Sequence, residues 1–171
     1  IQNYRNILRR FVRDNGSDTD VERAADELSR CRRKVINADS VERVRGIEGD
    51  AATSYFSVFP HLILNQKESF VFKGRNRRPP KDAVNAMLSF VYTLISNDVT
   101  AALETVGLDP YVGFMHALRP GRPSLALDIM EELRAYLGDR LVLSLINRKQ
   151  ITGNQFLQQG DESIIMTDDA R

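Results

Sequence analysis

Apolar residues along this chain recur at helical spacing, and strand-like alternation is scarce. Tyr4, Ile7, Leu8 and Phe11 mark a first helix ending near Asn15-Gly16. Ser17 to Asp20 offers N-caps for a second, charged helix that reaches about Ala38, with Val21, Ala24, Ala25 and Leu28 on its apolar side. Asp39 followed by Glu42 resembles a capping box and opens a third helix of roughly twenty residues. Residues 62–80 break the pattern with Asn65, Gly74, Pro79 and Pro80, and the SFVF piece there reads as extended. Val84, Met87, Leu88, Val91, Leu94 and Ile95 then give a strong fourth helix. Asn97-Asp98 predicts the cap of a fifth, ending at Gly107. A short helical turn is expected after Pro110, a helix from Ser124, and one more apolar helix from Asp139 to Ile146. After about Gln150 the chain turns polar, with room for a hairpin around Gly160. The class is all-α: a helical domain over residues 1–150 and a polar segment over 151–171.

Composition narrows this picture. A chain of 171 residues with 42% apolar content can bury one compact core. A formal net charge of +1 provides no global field for a polyanion, so any nucleic-acid binding must come from local clustering. The charge is indeed uneven, because Lys73, Arg75, Arg77, Arg78 and Lys81 fall in one acid-free stretch, KGRNRRPPK. The single cysteine, Cys31, excludes an internal disulfide and a cysteine-rich metal cluster, and it reads as a helix-packing residue in a reducing cytosol. No uninterrupted apolar run approaches the ~20 residues that span a bilayer, and no signal peptide is visible, so no membrane role is expected. The chain opens on Ile1, inside a helical pattern, and reads as a fragment of a longer protein.

Candidate chemistry lies in three places. On the third helix Val44, Glu48, Ala51, Ala52 and Tyr55 share a face, where an ionised carboxylate is costly unless paired with a charge or bound to a metal. Gly46 and Gly49 flank Glu48 and would admit a close backbone or phosphate. A buried salt bridge to an arginine of the second helix fits the same pattern. His116 follows the apolar turn YVGFM and precedes the run DIMEE, in which Asp128 lies three residues from Glu131 and four from Glu132. Like charges at that spacing destabilise a helix by roughly a few tenths of a kcal/mol, and a cation would remove the repulsion. A packed histidine and a solvated acidic face balanced by Arg134 are the bland alternatives. One imidazole and two carboxylates suit Mg²⁺ or Mn²⁺ with open positions, better than Zn²⁺. His61, between Pro60 and Leu62, is read as structural. The basic stretch is too polar for a core, and its arginine forks match phosphate oxygens. It is equally readable as a solvated loop. Arg119 and Arg122 extend the basic character beside His116, and Arg5, Arg9 and Arg13 form either another stripe or the wet face of the first helix.

The segments GIEGDAATSYF, GRNRRPPKDAVNAMLSFVYTLI, GLDPYVGFMH, GRPSLALDIMEELR and DRLVLSLINR, in that order, resemble the CRISPR-associated integrase of spacer acquisition, the nuclease of the adaptation module. The similarity spans most of residues 1–157, and the RRPP and SLALD wording is closest to the type I-C branch. The resemblance implies an N-terminal β-sandwich followed by a helical catalytic domain, of which this chain matches only the helical part. The sandwich is the usual homodimerising element, so its absence puts dimerisation of this stretch in question. Carried over residue by residue, the resemblance implies metal ligands at Glu48, His116 and Glu131, with Asp128 assisting and Mg²⁺ or Mn²⁺ as cofactor. It places Arg134 near DNA, with Tyr92 and Asn85 on a helix facing the site; Arg75, Arg77, Arg78 and Arg122 are expected as DNA contacts from their charge. It further implies metal-dependent DNA cleavage and insertion of new spacers by 3′-hydroxyl transesterification. The partners implied are prespacer and CRISPR-repeat DNA and a small protein of ferredoxin-like fold, in the cytoplasm of a prokaryote. Two other readings stay open: a non-catalytic DNA-binding assembly domain, and a purely structural helical domain.

Overall fold

The computed structural model describes residues 1–160 and 162–171. Gly16, at φ 94°, ends helix α1 (Gln2–Asn15), and its N–H returns to the Val12 carbonyl at 2.9 Å. Two residues on, Asp18 caps α2 (Thr19–Ile36), accepting from the N–H groups of Asp20 and Val21. The same carboxylate meets His61 Nδ1 at 2.8 Å, which makes His61 a structural partner. That short connection folds α2 back along α1. Arg9 pairs with Asp26 at 2.6 Å and Arg5 donates to Ser29, so two arginines of the proposed stripe tie the helices together.

Helix α3 (Val41–Ser57) starts one residue later than the Asp39 reading expects. Ser40 is its cap, accepting from Arg43 N–H, while Asp39 pairs with the Arg43 side chain instead. A 3₁₀ turn (Phe59–Leu62) follows. Its Phe59 joins Tyr55, Phe56 and Phe72 in an aromatic cluster, and Tyr4 of α1 stacks on Tyr55 with centroids 4.2 Å apart. SFVF is not a strand: Phe70 and Phe72 are buried and Val71 exposed, without a ladder partner.

Helix α4 (Ala83–Thr105) runs through the boundary expected at Asn97-Asp98. Val91, Ile95, Val99 and Leu103 keep one stripe in register every four residues, so the helix has no reason to stop, and Asn97 and Asp98 lie on the exposed face. Its end falls as expected, at Gly107 with φ 78°. By length and composition α4 could cross a membrane. Here Ala83–Leu88 are all buried at the centre of the domain, and the C-terminal half packs on α5 through Val99, Leu103 and Ala126. After Pro110 the chain makes turns and no helix.

Helix α5 (Ser124–Leu133), a π-helical segment (Arg134–Asp139) and α6 (Arg140–Asn147) follow without a break. The expected fresh start at Asp139 is thus the end of a π turn. Strand β1 (Phe156–Gln158) pairs antiparallel with β2 (Ile164–Met166), the only sheet among the described residues. Helices carry the architecture. The hairpin closes on it through Phe156 against Phe70, buried Met166, and Ile164 N–H donating to Pro80 O at 2.8 Å.

Candidate metal and nucleic-acid site

The buried stripe of α3 is Ile47, Ala51 and Tyr55, and Glu48 sits half-buried at its edge. The face inferred from Val44 and Ala52 is therefore rotated by about one residue. A Cβ on Gly46 or Gly49 would meet nothing within 4 Å, so the space those glycines leave is open.

The GFMH loop is built around Asp128 of α5. Its carboxylate accepts the backbone N–H groups of Phe114 (2.6 Å), Met115 (2.9 Å) and His116 (2.9 Å), and lies 2.6 Å from His116 Nδ1. Burial pushes this carboxyl's pKa up, but the N–H donors and the imidazole outweigh burial and hold it below the usual range. Gly113 makes the approach feasible: a Cβ there would stand 2.6 Å from the Ser124 carbonyl carbon. Arg45 of α3 donates to the Met115 carbonyl, tying the loop to the helix that carries Glu48. With Nδ1 engaged, Nε2 is the ring nitrogen left to act, the usual arrangement of an imidazole held ready for a metal.

One turn along α5, Glu131 lies mostly buried and pairs with Arg134 Nη1 at 2.6 Å. Burial raises its pKa; Arg134 opposes the rise, Glu48 adds to it, and His116 and Arg77 lower it. Glu48, His116 and Arg77 thus all act on the Glu131 carboxylate. As the side chains stand, no three His, Cys, Asp or Glu residues among the described residues enclose an ion position. The donor types still suit a hard divalent cation: the carboxylates of Glu48 and Glu131, the latter mostly buried, and an imidazole whose Nδ1 alone is engaged.

The basic loop divides in two. Arg77, Arg78 and Lys73 are exposed, and Arg122 is half-buried near the histidine loop. Lys73, Arg75 and Arg77 border a cavity of about 590 Å³ whose other walls include Ala52, Thr53, Phe56 and Phe72. Arg75 itself turns inward, donating to Asn76 O, to Asn85 Oδ1 at 2.7 Å and to Ser89 Oγ at 3.2 Å. Of the residues expected to face DNA, Asn85, Tyr92 and Arg134 are buried. Asn85 organises the loop, accepting from Asn76 N–H and donating to Gly74 O. Tyr92 and Arg134 pack behind Glu131, with Arg134 paired to its carboxylate.

Asp139 was missed as a site residue, because the sequence reads it as an ordinary helix start. It is fully buried, accepts from the Tyr92 hydroxyl, and burial raises its pKa to about 6 against the pull of Tyr92, Tyr55, Arg134 and Arg75.

Comparison with known proteins places this helical fold in a CRISPR-associated family. The family profile described as CRISPR associated protein Cas1 matches residues 1–171. The chain belongs to the Cas1 family. It is 52% identical over 174 residues to CRISPR-associated endonuclease Cas1 1 of Chlorobaculum tepidum, covering 100% of this chain and 51% of that protein. It is 47% identical to CRISPR-associated endonuclease Cas1 of Leptospira interrogans, covering 100% of this chain and 68% of that one. A CAS1 protein from Thermotoga maritima superposes with a TM-score of 0.81 at 31% identity, over 98% of this chain and 51% of that chain. A chain of a partial Cas6-RT-Cas1–Cas2 complex superposes with a TM-score of 0.86 at 28% identity, over 99% and 51%. The chain spans about half the length of the first curated relatives it matches.

Proposed function

We propose that this chain is the helical catalytic domain of a metal-dependent DNA integrase and endonuclease that inserts spacers into a CRISPR array. The observation carrying this reading is His116 anchored through Nδ1 by Asp128, on the helix whose next turn carries the mostly buried Glu131. His116, Glu48 and Glu131 would hold Mg²⁺ or Mn²⁺. A divalent ion bound there supplies Lewis-acid polarisation of a phosphate oxygen and stabilises developing charge.

The chain's own residues do the rest. Asp128 fixes the imidazole so that Nε2 stays available. Arg77 and Lys73 hold phosphates along the cavity and Arg78 on the adjoining loop, positioning the strand without reading its sequence. In the proposed strand transfer, the 3′-oxygen of an incoming DNA end forms a new bond to phosphorus at the repeat border. The bond from that phosphorus to the flanking strand's 3′-oxygen breaks, releasing a 3′-hydroxyl as the attacking hydroxyl gives up its proton. Water in place of the hydroxyl gives cleavage.

The relatives' names speak of endonucleases, and one structural neighbour is a Cas1–Cas2 assembly; both support the reading. On the same basis we propose a small ferredoxin-like partner, homodimerisation through the other half of the full-length protein, and action on chromosomal DNA in the cytoplasm. The type I-C assignment rests on the RRPP and SLALD wording alone.

The ion pair between Glu131 and Arg134 favours a second reading, a DNA-binding assembly domain without chemistry. Cleavage and strand transfer with Mn²⁺, by the full-length protein containing this domain, separate the two. Under the first reading His116→Ala and Glu48→Ala abolish both reactions and keep DNA affinity. Reactions that survive both substitutions sink it.

A further inference from the structure

Behind Glu131 the helix changes pitch. In an α-helix Arg134 and Asp139, five residues apart, would point about 140° away from one another. The π segment closes a ring every five residues instead and brings such positions onto one side. Both residues therefore face the same object, the Tyr92 ring of α4. Arg134 lies over that ring at 5.1 Å from its centroid, and Asp139 accepts the Tyr92 hydroxyl. Gly138, between them, makes room: a Cβ there would stand 2.8 Å from Tyr92 Cε1. A second guanidinium, that of Arg75, sits 5.4 Å from the same centroid.

The outward arm of this arrangement reaches the candidate ligand. Arg134 Nη1 holds Glu131 Oε1 at 2.6 Å. A solvated i, i+3 pair would need no such backing. Arg134 is 9% exposed and Asp139 0%, so the unit is desolvated from end to end. Its rigidity comes from packing, not from the ion pair alone.

We propose that Asp139, Tyr92 and Arg134 are positioning residues for Glu131: the π segment clamps Tyr92, Tyr92 seats Arg134, and Arg134 pins one carboxylate oxygen so that the other is presented as a ligand. This rests on the metal reading above. It assigns a function to the pitch change, to Gly138 and to a buried acid that the chemistry otherwise leaves unused.

The test is Mn²⁺ binding by calorimetry on the full-length protein without DNA, with unfolding followed by circular dichroism. The set comprises wild type, Glu131→Gln, Tyr92→Phe, Asp139→Asn, Arg134→Gln and Arg134→Lys. Tyr92→Phe and Asp139→Asn are expected to weaken Mn²⁺ about tenfold or more while still folded at the measuring temperature. Arg134→Gln is expected to lose at least as much, and Arg134→Lys to recover part of it, which a loss through loosened packing would not produce. Should Asp139→Asn fail to fold, Tyr92→Phe and the two Arg134 variants decide the matter. If these bind Mn²⁺ within twofold of wild type while Glu131→Gln has lost it, the positioning role is overturned and the metal reading stands. If wild type binds no more tightly than Glu131→Gln, both are overturned.

Discussion

Two acids show how placement decides what a carboxylate can do. Asp128 is surrounded by donors and stays ionised, and it works as a fixed hook for the histidine loop. Asp139 is buried with fewer donors, so its folded-state pKa of about 6 lies above the ordinary value of 3.8. Between those values the folded protein binds more protons than the unfolded chain, so stability falls as pH rises from about 4 to about 6 and levels off above. At ~1.4 kcal/mol per pKa unit the effect is on the order of 3 kcal/mol. Chemical denaturation across that range should show a flatter profile in Asp139→Asn than in wild type. An unchanged slope would show that another group carries the pH dependence. For Asp128→Ala the expectation is a loss of about 2 kcal/mol or more, because three backbone donors and an imidazole lose a charged acceptor together. Its catalytic defect should approach that of His116→Ala.

At the level of elements, glycine positions carry the tightest tolerances. Gly113→Ala drives a methyl into the start of α5, so the GFMH loop must move off the helix that positions it. Overpacking of this kind typically costs ~1–3 kcal/mol, visible as a lowered thermal midpoint. DNA cleavage should fall further than stability does, since the displaced loop carries His116. Helix ends were legible at Asp18, Gly16 and Gly107, which act as their chemistry dictates, but not at the start of α3, where Ser40 and not Asp39 takes the cap. The run through Asn97-Asp98 was not legible, because a cap-forming residue on a solvated face costs a helix little when the apolar stripe continues beneath it. Nor was the π segment. Its effect depends on Tyr92, more than forty positions upstream, and the i, i+3 spacing of Glu131 and Arg134 reads equally well as a surface pair. The ligand candidates came from motif likeness, and their buried backing only from the fold.

Across the whole molecule, a near-neutral chain places Lys73, Arg75 and Arg77 together at the border of one cavity. Lys73 and Arg77 are the exposed members there, so replacing both with alanine should weaken DNA binding uniformly across sequences. The slope of log affinity against log salt should flatten by roughly 2, about 0.9 for each phosphate contact removed. An unaltered slope would remove the cavity edge from the DNA path. Arg75→Ala should behave differently: its guanidinium is committed to Asn85 and Ser89, so the first loss is in folding stability.

The bond from Ile164 to Pro80 has a consequence for synthesis. The prolines that shape the electropositive loop are translated long before the strand that fastens them. A ribosome-bound intermediate lacking residues beyond 163 would have its helices but not this anchor, and the loop would be held from one side only. The loop should therefore reach its final shape late, only after the hairpin has emerged from the exit tunnel.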